Sequence, residues 1–113
     1  MKKLVLLMLL LLAGITTQAQ DKKNKNAKYD IEVNGNCDQC KKRIEKAAYS
    51  VKGVKTAAWS EESKNLHLIM DESKGSINDV HAAVAKAGHD TEKLKADDKD
   101  YSDLHSCCQY PRE

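Results

Sequence analysis

The chain has 113 residues, enough for one domain with a single modest core. Its formal charge is +2, and setting aside Lys2 and Lys3 leaves 17 basic against 17 acidic side chains, without the basic footprint that nucleic-acid binding requires. A charged fraction of 32% with no Phe and one Trp means that the core must be built from aliphatic side chains and alanine.

The first residues read as an export leader. Lys2 and Lys3 form a positive start, Leu4 to Ile15 an apolar run, and Thr17-Gln18-Ala19 a small-x-small cleavage pattern, so the mature chain is expected to begin near Gln20. An apolar helix of that length rises only about 18 Å, too little for a hydrocarbon core of about 30 Å, so no membrane insertion is expected after cleavage. No cysteine lies at the cleavage point to carry a lipid. Export to a bacterial periplasm is the expectation. Residues 20–28 are polar and charged, and read as a flexible arm.

From Tyr29 the pattern alternates, with Tyr29, Ile31 and Val33 on one side, which predicts a half-buried strand ended by Gly35. Cys40, Ile44, Ala47, Ala48 and Val51 recur at helical spacing and Gly53 follows as a stop, which predicts an amphipathic helix. Val54 to Ser60 and Asn65 to Asp71 read as two strands joined by the polar turn Glu61-Glu62-Ser63-Lys64. Gly75 or Ser76 can cap a second helix carrying Ile77, Val80, Val84 and Ala87 and stopping at Gly88. His89 to Leu94 leaves space for one weak last strand. The order β-α-β-β-α-β predicts an α+β, ferredoxin-like fold, an antiparallel sheet with two helices on one face.

Chemistry is concentrated where the first strand meets the first helix, at Cys37-Asp38-Gln39-Cys40. Two cysteines three apart across a helix start can aim both sulfurs at one point. Unpaired N–H groups and the positive end of the helix dipole favour the thiolates that bind metal or attack disulfides, and Lys41, Lys42 and Arg43 add positive charge. Soft thiolates in low coordination suit Cu(I), with Zn(II) and Hg(II) as rivals.

The run from Tyr29 to about Leu94 resembles a heavy-metal-associated domain, the module of copper chaperones, mercury-binding periplasmic proteins and the N-terminal regions of metal-exporting ATPases. The resemblance rests on Val33-Asn34-Gly35-Asn36-Cys37-Asp38-Gln39-Cys40, Ile44-Glu45-Lys46-Ala47, Val51-Lys52-Gly53-Val54 and Ala85-Lys86-Ala87-Gly88-His89. It implies that Cys37 and Cys40 are the metal ligands, and that the partners are a metal ion and a metal-exporting membrane transporter or another metal-binding domain. Members of the family usually read Gly-Met-x-Cys ahead of the pair. Here only Asn36 separates Gly35 from Cys37, so the loop is one residue short and lacks its Met. His89 occupies a position where members often carry Tyr, Phe or His close to the metal loop, which makes it a candidate third ligand or proton-sensitive neighbour.

A dithiol in an oxidising compartment also allows thiol-disulfide exchange. Thioredoxin-like enzymes place Trp before the first Cys and a cis-Pro opposite the disulfide; this chain has Gly35-Asn36 there, and its only proline is Pro111. The expected function is therefore metal binding by a protein that is not an enzyme, with a redox protein or a disulfide-held interaction module as the alternatives. His67, His81, Met70 and Trp59 are read as strand-face, helix-side and core residues, not as ligands.

The tail divides into an acidic linker from Ala96 to Asp100 and an ending with His105, Cys107 and Cys108. Small exported proteins resembling this one often share such a Leu-x-x-Cys-Cys-x-Tyr ending. These three residues are candidate further ligands that could complete the coordination begun by Cys37 and Cys40; disulfides, within one chain or between two, are the alternative. The expected divisions are 1–19, a signal peptide; 20–28, the arm; 29–95, the metal-binding domain; and 96–113, the linker and Cys-Cys tail. A monomer, or a dimer linked by metal or disulfide, is expected.

Overall fold

The computed structural model describes residues 23–112, so the expected leader lies outside the described residues. Its strands are β1 (Ala27–Glu32), β2 (Val54–Trp59) and β3 (Asn65–Met70), and its helices α1 (Asp38–Tyr49), α2 (Ile77–Lys86) and a short α3 (Asp98–Ser102). The three strands form one antiparallel sheet in the order β1-β3-β2. No described helix is long and apolar enough to cross a membrane.

Alternation works as the strand period requires. Ile31 faces Leu66 across the β1–β3 ladder, Ala57 faces Leu68 and Trp59 faces Leu66 across β2–β3, and all are buried. Onto that face α1 lays Cys40, Ile44 and Ala48, and α2 lays Val80 and Val84, so the two helices and the sheet share one core. Met70 is part of it, as its place in the alternating set predicts. β1 begins two residues earlier than the alternation suggests, because the small Ala27 is buried opposite Met70.

The ends of α2 are specified locally. Ser76 Oγ accepts from the Asp79 N–H at 3.3 Å and the Asp79 carboxylate accepts from the Ser76 N–H at 3.1 Å, a reciprocal cap. Gly88 follows the helix at φ +105°, where a Cβ would come within 2.8 Å of the Asp100 carbonyl oxygen.

The last strand is reduced to a single bridge between Val33 and Thr91. The chain turns back there instead of extending. Thr91 Oγ1 accepts from the Lys93 and Leu94 N–H groups, the Thr91 N–H reaches the Leu94 carbonyl at 2.7 Å, and the Asp90 carboxylate accepts from the Ala96 N–H. Side-chain acceptors outcompete the ladder.

The tail, expected as an acidic linker followed by a Cys-Cys ending, packs into the same core. Leu104, Cys108 and Tyr110 are buried, Tyr110 at 1% exposure. The Tyr110 hydroxyl accepts from the Asp90 N–H at 2.7 Å and donates to the Gly88 carbonyl at 2.9 Å. Tyr101 donates its hydroxyl hydrogen to the Tyr110 carbonyl and lies edge-on to the Tyr110 ring. Arg112 closes the clasp with two hydrogen bonds to the Asp90 carboxylate, one to Asp98 and one to the Ala96 carbonyl. Burial alone would raise the Asp90 carboxyl, but Arg112 and the Ala96 N–H outweigh it and hold Asp90 below its ordinary value.

Candidate metal centre

The loop ahead of α1 is held from three sides. Trp59 Nε1 donates to the Val33 carbonyl at 3.0 Å, Lys64 Nζ to the Gly35 carbonyl at 2.6 Å, and His89 Nδ1 pairs with the Asn34 carbonyl at 2.8 Å. Gly35 passes so close to the core that a Cβ there would stand 3.0 Å from the Cys40 Cβ and 3.1 Å from the Trp59 ring. These contacts give the shortened loop a defined path without the usual Met. They deliver Cys37 to the N-cap of α1 in extended conformation and Cys40 to its first turn.

The 3-10 turn Ser106–Cys108 then brings both tail cysteines to the same place. Cys37 Sγ lies 3.5 Å from Cys40 Sγ, 3.4 Å from Cys107 Sγ and 3.3 Å from Cys108 Sγ. Cys107 and Cys108 are 3.9 Å apart, and Cys107 Sγ also contacts Gln39 Oε1 at 3.4 Å. All four are free thiols. The sulfurs of Cys37, Cys40 and Cys108 lie within 4.8 Å of one another, a spacing that suits one metal ion. Cys40 and Cys108 are buried, Cys37 is half-buried and Cys107 is exposed.

Cys37, Cys107 and Cys108 do not ionise alike. Burial alone would raise Cys37, but the Cys40 backbone N–H and then the thiols of Cys108, Cys107 and Cys40 outweigh it and bring Cys37 down to about 7. Cys107 is raised first by its hydrogen bond with Cys37, and Cys108 is pushed up first by burial and then by its sulfur neighbours. Near neutral pH the cluster therefore carries its first negative charge on Cys37, which the Cys40 backbone N–H and the neighbouring thiols stabilise. In reduced, metal-free protein, alkylation of Cys37 followed by peptide mapping should rise with pH and be half-maximal near 7. Removing Cys107 and Cys108 should move that midpoint upward, because two thiols whose hydrogen bonds lower Cys37 are lost.

His89 does not join this cluster. It is fully buried, its ring stacks on Tyr110 with centroids 5.7 Å apart, and because the Asn34 carbonyl only accepts, Nδ1 is assigned the proton. Burial lowers its pKa, countered only in part by Asn34, which keeps it neutral. The residue acts as a strut between the metal loop and the tail. His105 is exposed beside Gln39, Lys42, Arg43 and Lys46 and likewise stays outside the convergent set. His67 is exposed and pairs with Asp30, while His81 is buried against the Thr91 hydroxyl.

Sequence reasoning missed the residues that aim the cysteines: Trp59, Lys64, Asp90, Tyr110 and Arg112. Only Tyr110 carried a sequence signal, its place in the shared ending. The Asp90–Arg112 pair joins positions 22 apart, with no periodicity to reveal it.

The heavy-metal-associated domain matches residues 31–90. Among solved structures, the chain is similar to the CopZ metallochaperone, with 26% identity over 57% of this chain and 98% of that one and a TM-score of 0.56. It is similar to the N-terminal domain of a potential copper-translocating P-type ATPase from Bacillus subtilis in the Cu(I)-loaded state, with 25% identity over 58% and 84% and a TM-score of 0.56. It shares the fold of oxidized MerP from Ralstonia metallidurans CH34, with 23% identity over 58% and 96% and a TM-score of 0.51. No curated protein matches the sequence. The matched segment contains the end of β1, all of β2 and β3, both long helices and Cys37 and Cys40, while the tail cysteines lie beyond it. The chain belongs to the heavy-metal-associated domain family.

Proposed function

We propose that this chain is an exported, non-enzymatic protein that takes up Cu(I) at Cys37 and Cys40 and holds it with help from its own tail. The observation that carries the reading is the convergence of a third buried sulfur, Cys108, on the dithiol. Thiolates are soft ligands that select Cu(I), and similarity to CopZ and to a Cu(I)-loaded ATPase domain supports copper as the cargo. Zn(II) and Hg(II) are the competing ions. A protein that encloses its ion favours sequestration over rapid delivery, with a metal-exporting transporter or another metal-binding domain as the recipient of what it releases. Export follows from the leader pattern of residues 1–19.

Native mass spectrometry of the reduced protein beginning at Gln20, offered Cu(I) and Zn(II) together, tests this. One retained Cu(I) per chain, undisplaced by excess Zn(II), is expected; retention of Zn(II) alone would contradict it. The lowered Cys37 is the observation that favours the redox alternative. Turnover of a peptide disulfide by the metal-free protein would establish that reading instead.

A further inference from the structure

We propose that the adjacent tail cysteines divide the work of the Cu(I) site: Cys108 is the buried ligand that retains the ion with Cys37 and Cys40, and Cys107 is the exposed thiol through which it enters and leaves. The inference rests on the copper reading above and assigns the two sulfurs different parts in it.

Geometry separates them. Three sulfurs about 2.3 Å from one ion stand about 4.0 Å apart in a trigonal plane, whereas two in line stand about 4.6 Å apart. Cys37, Cys40 and Cys108 already fall within 4.8 Å of one another, with two separations of 3.5 Å and 3.3 Å, closer to the three-sulfur arrangement. Cys108 is wholly buried and continuous with the core through Leu104 and Tyr110, so it cannot leave without undocking the tail. Cys107 is exposed and touches Cys37 and Cys108 from outside.

The surroundings of Cys107 fit an incoming complex. Cu(I) held by two thiolates of a carrier is an anionic unit. Lys42, Arg43 and Lys46, with Gln39 and His105, line an open groove next to Cys107, and none of the three cations has an ion-pair partner among the described residues. That charge draws the anion to the exposed sulfur. Cys107 then bonds the copper as one carrier sulfur leaves, and the displaced carrier thiolate takes the Cys107 proton. Cys40 replaces the remaining carrier sulfur, which takes the Cys40 proton, and Cys108 replaces Cys107, which takes the Cys108 proton. Cys37 adds as the third sulfur without displacing one, any proton it carries passing to solvent, so that copper goes from two sulfurs to three and stays Cu(I). Departure runs the same steps backward.

Cys107→Ser and Cys108→Ser variants of the reduced chain beginning at Gln20 test this under anaerobic conditions, loaded from Cu(I)–glutathione and unloaded into bicinchoninate. Cys107→Ser should slow loading and removal together by about tenfold, equal to about 1.4 kcal/mol on the exchange barrier, with equilibrium affinity unchanged. Cys108→Ser should weaken affinity about 100-fold, at least as much as the loss of an outer-shell partner typically does, and should speed removal. Unchanged rates in Cys107→Ser, or an affinity loss there equal to that in Cys108→Ser, would overturn the division. In the metal-free wild type, a bulky maleimide under single-hit conditions should label Cys107 over Cys108, independently of any substitution, and equal labelling would overturn it too. Failure of the wild type to bind Cu(I) would remove the underlying reading, a result distinct from tight binding with indifferent Cys107.

Discussion

A Cys37→Ser/Cys40→Ser double variant will lose tight Cu(I) binding by at least about a thousandfold, about 4 kcal/mol at 1.4 kcal/mol per decade. Cys40 is the buried sulfur fixed on α1, and Cys37 is the sulfur that all the others touch, so removing both leaves two adjacent tail thiols with nothing to converge on. The fold should persist. Serine preserves the side-chain volume closely, and the cost of a buried hydroxyl at position 40 is about 1–3 kcal/mol. Chelator competition read beside far-UV circular dichroism separates the two effects. A folded double variant that still competed as well as wild type would place the site elsewhere.

Deleting residues 97–113 will weaken both the fold and the metal site. The deletion removes Leu104, Cys108 and Tyr110 from the core, and burial of an aliphatic or aromatic side chain contributes about 1.5–3 kcal/mol. It also leaves the Asp90 N–H and the Gly88 carbonyl without the Tyr110 hydroxyl, and the Asp90 carboxylate without Arg112. A loss of about 4 kcal/mol or more in urea unfolding is expected, together with faster Cu(I) release. Tyr110→Phe isolates the clasp from the packing: it keeps the ring on His89 and removes only the hydroxyl. That variant should lose about 1–3 kcal/mol, the cost of leaving buried polar groups unpaired. A truncated protein with wild-type stability would mean that the tail does not dock in solution.

The part of this structure that sequence made legible is the part governed by short-range periodicity. Ile31 with Leu66, Leu68 and Met70, and Ile44 with Ala48, repeat at the two periods that distinguish strand from helix, and they mark the face each element buries. Ser76 and Gly88 mark the ends of α2 through local rules. The last strand failed because Thr91 and Asp90 supply acceptors to the backbone just beyond them, a competition that β propensity does not register. The docking of the tail was not legible for a different reason. Leu104 and Tyr110 are sparse apolar residues among charges, with no period, and their burial depends on a site made by Gly88, His89 and Asp90.

The same distinction runs through the metal centre. That Cys37 and Cys40 stand together at a helix start was legible from their spacing, and whether the tail reaches them was not, since a linker of that length could go anywhere. The clasp on Asp90 decides it. His89 drew attention by its position after Ala87-Gly88, but the Asn34 carbonyl occupies its Nδ1 and the Tyr110 ring lies against its face. The sequence position was informative about proximity to the loop and silent about the job done there.

In the proposed site, sulfur from the domain and sulfur from the tail surround one Cu(I). X-ray absorption at the copper edge counts those neighbours in the reduced protein loaded with one equivalent. Three sulfur ligands and no nitrogen are expected, falling to two sulfurs when Cys108 is replaced by serine. Two sulfurs in the intact protein, or a histidine nitrogen in the first shell, would contradict it.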